Sequence, residues 1–456
     1  MPSAASLIGQ YLQPGRRVHL VGIGGVSMCP LGLVLRDMGV VISGSDMSVS
    51  PSTDRLISKG IPVYIGHRQE NIAGAEAIVR TAAVHNDNPE IAAARALGIP
   101  IFERAQAWGH IMKSYEQAIC ISGTHGKTTT TSMATHIFME ADANPTVMIG
   151  GYLPLLKAGH RVGGGKTIIM ESCEYCNSFL NFFPTVAVVL NVEADHLDFF
   201  KDLADVQRSF RAFAQLIPPS GCVIANGDDP NTVQALEGIE KLTFGISEQC
   251  DVHGANYAGD WHSFDVVCRG ELYGHFDLKV LGRHNALNAL AAIAIAWQCG
   301  ISAETAARGL STFTGAGRRL EFKGTYNGAD VYDDYAHHPG ELHALLSSVK
   351  TMGYDRILCA FQPHTYTRTS ALFDDFVREL KTVDIAVLAE IYAAREQNTI
   401  GISSADLAKQ IPNSIYCETL PDVTAYLKQA AKPGDLILTV GAGDIFKAGE
   451  ALLQSK

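Results

Sequence analysis

Ser122-Gly123-Thr124-His125-Gly126-Lys127-Thr128-Thr129 follows the apolar run 118–122 (AICIS) and opens the helix-like stretch 127–140. A strand, a glycine turn and a helix in that order make a ready phosphate site. Backbone N–H groups of the turn can wrap phosphate oxygens with no Cβ in the way, and the helix N-terminus adds partial positive charge. In such a loop Lys127 reaches the β- and γ-phosphates of a nucleotide, and the Thr128 hydroxyl holds Mg²⁺. Ile121 stands where the general GxxxxGK[ST] pattern has its first glycine, so the match is incomplete. The plain alternative is a glycine turn carrying an exposed lysine.

Working outward, 167–170 and 186–190 are two further apolar runs with the look of buried strands. Each ends in acid: Glu171-Ser172-Cys173-Glu174 after the first, Asn191-Val192-Glu193-Ala194-Asp195-His196 after the second. Ligands of open α/β sheets bind past the carboxyl ends of strands, so either carboxylate set can hold a metal beside phosphates. On residue type alone, His196 reads as a satisfied polar histidine. Glycine clusters at 150–151 and 163–165 bracket a loop or hairpin. Residues 252–280 read as antiparallel, with turns at Arg269-Gly270 and Tyr273-Gly274. An alanine-rich helix covers 285–298.

The first third alternates strand and helix: strand 17–22, helix 28–38, strand 40–43, strand 78–81 and helix 89–97. Its first strand ends in Gly22-Ile23-Gly24-Gly25-Val26-Ser27. That is an incomplete GxGxxG, with Ser27 in place of the third glycine, and Asp46 stands near the spacing of a ribose-binding acid. The safer inference is a loop for a nucleotide pyrophosphate of unspecified identity. The last third repeats the alternation, with strands at 331–332, 357–360, 385–389 and 436–440. Three polar sets fall at its start or after its strands: Arg318-Arg319, Asp333 to Pro339, and Phe361 to Arg368. Together they suggest a cleft facing the phosphate loop, with arginines suited to phosphate and carboxylate.

The chain has 456 residues, 47% hydrophobic and 18% charged, a globular composition sized for about three domains. The expected units are 1–110, 111–314 and 315–456. Net charge is −11, and the middle unit alone carries −8. That balance argues against nucleic acid and anionic membrane surfaces as partners. The start of the chain lacks the basic and apolar regions of a secretory leader, and the longest apolar stretch, 286–301, is too short to span a bilayer. Ten cysteines without a leader read as reduced thiols of a cytoplasmic protein. Cys173 and Cys176 have CxxC spacing, but a zinc ribbon needs a second pair.

At these residues the sequence resembles the Mur ligases of peptidoglycan synthesis. The matching stretches run in order along nearly the whole chain: GIGGVSM (22–28), GTHGKTTTT (123–131), ESCEYCNSFL (171–180), NVEADHLDFF (191–200), GRHNALNALAA (282–292), GAGRRLEFKG (315–324), DDYAHHP (333–339) and FQPHTYTRT (361–369). The resemblance implies an α/β protein of three domains: a Rossmann-like N-terminal domain binding a UDP-linked substrate, a P-loop-type central ATPase domain and a Rossmann-like C-terminal domain. It implies an ATP- and Mg²⁺-dependent ligase that joins L-alanine to UDP-N-acetylmuramate through an acyl phosphate, in the cytoplasm. A related ligase adding another amino acid or a peptide is the competing expectation, and oligomeric state is left open.

Carried over, the resemblance puts ATP on Gly123, Thr124, His125, Gly126, Lys127, Thr128 and Thr129, with His284 and Asn288 on its adenine side. Arg318 or Arg319 and Asp333 complete that site from the third domain. Thr128, Glu171 and His196 are the implied metal ligands, which overturns the bland reading of His196. Tyr335, His337 and Arg368 face the amino acid and the muramoyl end, and Gly22, Gly24, Gly25 and Asp46 the uridine diphosphate. Lys127, His196, Arg318 and His337 form the implied catalytic set. This chain departs from the family at Thr365, often an arginine, and at Ser172-Cys173, commonly Ala-Asp. With no lysine in 202–240, no carbamylated lysine is expected. Two other classes fit less well. A dinucleotide oxidoreductase leaves the phosphate loop idle, and a regulatory GTPase would need an Asn-Lys-x-Asp motif that is absent.

Overall fold

A computed structural model describes residues 7–81, 84–197, 199–394 and 396–455. The leader expectation concerns in part residues 1–6, and Asp198 belongs to one of the matching stretches; both lie outside the described residues. Three sheets form in chain order, and their central parallel strands are short apolar runs buried on both faces, as parallel strands flanked by helices are.

The first sheet has β1 (Arg17–Val21), β2 (Val41–Asp46), β3 (Val63–Ile65), β4 (Ala77–Arg80) and β5 (Ile101–Glu103), all parallel, in the order β3-β2-β1-β4-β5. The order reverses between β1 and β4. The loop after β1, which starts at Gly22, therefore opens into the crevice where a doubly wound sheet takes its ligand.

The second sheet has ten strands. They are β6 (Gln117–Ser122), β7 (Thr146–Leu153), β8 (Ala158–Arg161), β9 (Thr167–Glu171), β10 (Val186–Val189), β11 (Cys222–Asn226), β12 (Leu242–Gly245), β13 (Val252–Ala255), β14 (Ser263–Cys268) and β15 (Glu271–Asp277). The order is β15-β14-β13-β12-β11-β10-β6-β9-β7-β8. The phosphate-loop strand β6 lies between β10 and β9, parallel to both. The loop is thus flanked by the two acid-bearing strand ends. β7 and β8 form an antiparallel hairpin, and β13, β14 and β15 make the antiparallel edge. Arg269-Gly270 is the turn of that edge. Tyr273-Gly274 is not a turn but lies inside β15, beside the register shift at Val266/Val267. There Gly274 lets the strand pass close to Ala303, whose Cβ would stand 2.9 Å from an added Cβ. The alanine-rich helix Arg283–Gln298 and the loop's own helix Lys127–Glu140 pack on one face of the sheet and share one core. Small side chains allow that close approach.

The third sheet has β16 (Glu321–Tyr326), β17 (Ala329–Asp334), β18 (Arg356–Phe361), β19 (Ile385–Ala389), β20 (Ser414–Cys417) and β21 (Asp435–Val440), in the order β16-β17-β21-β18-β19-β20. All pairs are parallel except the edge pair β16–β17. The carboxyl ends of β17 and β18 carry the polar sets of the third unit, and they face the second sheet's phosphate loop. Among the described residues, no helix is long and apolar enough to cross a membrane.

Candidate active site

The phosphate loop is shaped by two glycines in the left-handed region, Gly123 at φ +147° and Gly126 at φ +82°. Side chains there are excluded by space as well as by conformation. A Cβ on Gly126 would lie 2.5 Å from Asn288 Oδ1, and one on Gly123 2.8 Å from Leu190 Cβ. The segment after β10 pins the loop from behind. Asn191 Oδ1 accepts from His125 N at 2.7 Å, Asn191 O accepts from Thr124 N at 3.1 Å, and Glu193 N donates to Thr124 Oγ1 at 2.9 Å.

Lys127 turns its ammonium under the loop. It donates to Thr124 O at 3.0 Å and pairs with Glu174 at 3.2 Å. Burial works against the charge, but Glu174 outweighs it and raises the Lys127 pKa above its ordinary value. Glu171, the last residue of β9, turns one oxygen to two donors: Thr128 Oγ1 at 3.0 Å and Gly150 N at 2.6 Å. Gly150 has to be glycine, since a Cβ would stand 2.6 Å from Glu171 Oε1. His196 is held at φ +53° with its ring 4.7 Å from that of Tyr175. Lys127, Thr128, Glu171, His196, Arg319 and His337 all line one cavity of about 600 Å³.

A second cavity, about 240 Å³, adjoins the loop and carries His284, Asn288, Asp334 and Arg319. Burial, with Arg319 nearby, lowers the His284 pKa to about 4. A third, about 470 Å³, is lined by Tyr175, Asp195, His196, His364, Thr365 and Arg368. Asp195 and His196 border both the third cavity and the phosphate cavity. The residues expected at the acceptor are therefore divided. Tyr335 and His337 open on the phosphate cavity, and Arg368 on its neighbour.

One expectation in the third unit needs correction. Asp333 lines neither of the two cavities beside the loop. It is 1% exposed, and its carboxylate accepts from Arg318 Nε and Thr439 Oγ1, both at 2.8 Å. Successive strand residues point to opposite faces, so it is Asp334 that borders the second cavity. There its oxygens accept from Leu320 N and Ala336 N, each at 2.7 Å, and burial lifts its pKa to about 6 against the pull of Arg319. Arg318 reaches the edge of the phosphate cavity with its nitrogens already engaged. Besides Asp333, it donates to Gly441 O at 2.6 Å and Gly443 O at 3.2 Å, between the rings of Tyr335 and Phe446. Its neighbour Arg319 is the arginine that opens on both cavities, 3.6 Å from Glu341.

At the first loop, Asp46 shapes the turn. Its carboxylate accepts from Gly24 N and Met47 N, each at 2.8 Å, which leaves it a poor match for a free ribose-binding acid. Gly22 takes φ +80°, and Gly25 N donates to Gly22 O at 3.1 Å.

Sequence reasoning missed Glu341 and Arg104. Glu341, on the helix Pro339–Val349, meets His125 at 3.5 Å, Arg319 and His337. Its signal was its place four residues after His337, one helical turn on. His125 lies between Glu341 and Glu193, the latter at 3.2 Å. Burial disfavours its charge, but the two carboxylates prevail and lift its pKa to about 9. Arg104 donates to Ser27 Oγ at the first loop and lines a seam of about 200 Å³ that leads to Glu171. Nothing in its sequence context distinguished it.

The chain matches three family descriptions in succession. They are the catalytic domain of the Mur ligase family over residues 17–116, the Mur ligase middle domain over 121–296 and the Mur ligase glutamate ligase domain over 318–443. It is 42% identical over 452 residues to the UDP-N-acetylmuramate–L-alanine ligase of Caldanaerobacter subterraneus subsp. tengcongensis, covering 97% of this chain and 98% of that protein. It is 44% identical over 449 residues to the enzyme of the same name from Clostridium novyi, with the same coverage. The crystal structure of a UDP-N-acetylmuramate–alanine ligase from Thermotoga maritima superposes with a TM-score of 0.80 at 27% identity, covering 96% of this chain and 98% of that one.

Proposed function

The chain belongs to the Mur ligase family, and on that premise we propose that it joins L-alanine to UDP-N-acetylmuramate at the expense of ATP. The observation that supports this most is one cavity shared by the phosphate-loop lysine, the Thr128–Glu171 pair and two groups of the third unit, Arg319 and His337. A carboxylate does not acylate an amine in water. Phosphorylating it turns one oxygen into a leaving group. A site for that step must gather phosphate-binding cations from one side and present the acceptor from another.

In this reading the ATP triphosphate lies along Gly123 to Thr129, with the adenine toward His284 and Asn288. Lys127 leaves Glu174 in part to meet the β- and γ-phosphates, and Arg319 takes up charge on the transferring phosphoryl group. Thr128 and Glu171 offer a hydroxyl and a carboxylate, hard oxygen donors that suit Mg²⁺, and His196 stands beside them. Mg²⁺, when bound, neutralises phosphate oxygens there. The glycine loop 22–25 receives the diphosphate of the UDP-sugar, with Arg104 toward its muramoyl end. Arg368 holds the carboxylate of L-alanine, a planar fork on a planar anion. ATP and UDP-sugars are cytoplasmic metabolites, so the reading places the enzyme in the cytoplasm.

The direct test is ADP release with ATP, Mg²⁺ and UDP-N-acetylmuramate, with and without L-alanine. Release that requires both co-substrates is expected. Release with serine, glycine or a peptide in place of alanine would move the acceptor, and no release with any of them would refute the ligase reading.

A further inference from the structure

We propose that His125, Glu193 and His338 form a binding site for a divalent transition-metal ion, zinc in the first place, that ties the phosphate loop to the third unit. The site is separate from the Thr128, Glu171 and His196 set proposed for Mg²⁺, and it does not depend on the ligase reading. Its first support is convergence. His125 comes from the phosphate loop, Glu193 from the segment after β10, and His338 from the segment after β17, where it caps the helix Pro339–Val349. One ligand atom of each lies within 4.8 Å of the other two, and among the described residues this is the one such group of metal-ligating side chains. His125 Nε2 and Glu193 Oε2 already stand 3.2 Å apart. A tetrahedral zinc ion with bonds of about 2.0–2.1 Å spaces its ligands about 3.3 Å apart, so that pair is set for it and His338 has a short way to come.

The second support is space. A Cβ added to Gly340 would lie 3.3 Å from Glu193 Oε2, 3.4 Å from His125 Nε2 and 3.5 Å from His338 Nδ1. The glycine thus leaves a hollow onto which three donor atoms face. His338 is 6% exposed, yet its ring is barely engaged. Nδ1 accepts one long hydrogen bond from Gly340 N at 3.2 Å, and Nε2 has no partner among the described residues. A buried ring with so much unused hydrogen-bonding capacity is unusual, and a bound ion is one of the few things that account for it.

The third support lies behind His125. Its Nδ1 is 3.5 Å from Glu341 Oε1. A metal-bound histidine commonly gives its other N–H to a carboxylate, which fixes the tautomer and aims the remaining lone pair. With Nδ1–H toward Glu341, that lone pair is at Nε2, facing Glu193 and the hollow. An ion entering there displaces the proton that otherwise sits at Nε2, and its double charge answers Glu193 and Glu341 together.

The donor set names the ion. Two imidazole nitrogens and one carboxylate oxygen suit Zn²⁺, whereas Mg²⁺ takes oxygen ligands. Three protein ligands leave a fourth position for water. Because His125 and Glu193 belong to the second unit and His338 to the third, the ion links the two across their seam.

The test is Zn²⁺ binding to the full-length protein by equilibrium dialysis with Mg²⁺ in excess. Zinc that excess Mg²⁺ does not displace is expected. Two variants probe the site in opposite ways. His338→Asn removes a ligand but keeps an oxygen to cap the helix. Gly340→Ala keeps all three ligands and fills the hollow, at a helix position whose backbone accepts any side chain. Each should weaken Zn²⁺ binding about tenfold or more. Glu171→Gln, in the proposed Mg²⁺ set, and Cys176→Ser, at the exposed thiol, should leave it unchanged. An unchanged Kd in both site variants would overturn the assignment. So would zinc binding lost in Glu171→Gln or Cys176→Ser but kept in the site variants, or a wild-type protein that holds no zinc against Mg²⁺. Glu193→Gln is read in place of either site variant whose denaturant midpoint shows that it fails to fold.

Discussion

Arg368 reaches across the seam between the third and second units and donates from Nη2 to Asp195 Oδ1 at 3.0 Å. The two side chains are only 11% and 9% exposed. Truncating one partner of such a pair leaves the other charge buried and alone, at a cost of about 3–5 kcal/mol. Arg368→Met should therefore lower the denaturant midpoint and, because Arg368 lines the proposed acceptor cavity, raise KM for L-alanine at least tenfold. Adding Asp195→Asn should restore the midpoint but not KM. An unchanged KM in Arg368→Met would remove this residue from the acceptor site.

Lys127 and Glu174 set up a second test of the same kind. Glu174 is 2% exposed, so Lys127→Ala strands a buried carboxylate as well as removing the proposed phosphate contact. We expect ADP formation to fall by about 10²-fold or more and the protein to unfold at lower denaturant. The double variant Lys127→Met/Glu174→Gln should regain stability and stay inactive. Activity returning together with stability would show that the lysine acts only through the fold.

Glu171 and Gly150 offer a third. Glu171→Gln weakens the proposed Mg²⁺ donor set, so half-maximal activity should require about tenfold more Mg²⁺, in keeping with the charge dependence of such sites. Gly150→Ala should reproduce part of that shift without altering any charge, because its Cβ displaces the carboxylate. The check is a Mg²⁺ titration of ADP release in both variants. Identical titrations in Glu171→Gln and wild type would exclude Glu171 from the metal site.

The pH dependence of stability follows from His125. Its folded pKa, about 9, lies above the ordinary value of 6.5. A raised pKa stabilises fully below the unfolded value, and the contribution is lost as pH rises through about 9. The wild-type denaturant midpoint should therefore fall between pH 7 and pH 10. In His125→Asn the curve should be flatter over that window and lower at pH 7. Parallel curves would mean that the ring is neutral in the folded protein.

The architecture was legible wherever local chemistry decides it. The run 118–122, the glycines of the loop and the helix 127–140 stand where the sequence reading put them. So do the acids past β9 and β10, since a buried strand, a polar break and a helix are adjacent in the chain. The site was less legible wherever two neighbours compete or distant units meet. Asp333 and Asp334 are chemically identical, and only strand parity tells which one faces the cleft. Arg318 and Arg319 divide because Arg318 takes φ +57° and folds back on Asp333. The meeting of His125 with Glu341, 216 positions later in the chain, is a product of domain docking, which no local pattern encodes.

His196, Arg318 and Thr365 border the cleft from three different segments, and each holds a left-handed backbone, at φ +53°, +57° and +68°. For a β-branched residue such as Thr365 that conformation is costly. Glycine at these points would relax the chain at the price of the side chain's aim. Selection for heat tolerance alone would therefore favour losses at this rim. A lineage of this enzyme adapting to hotter surroundings has to find its added stability elsewhere, in the cores of the three sheets or on the outer surface, and leave the rim as it is.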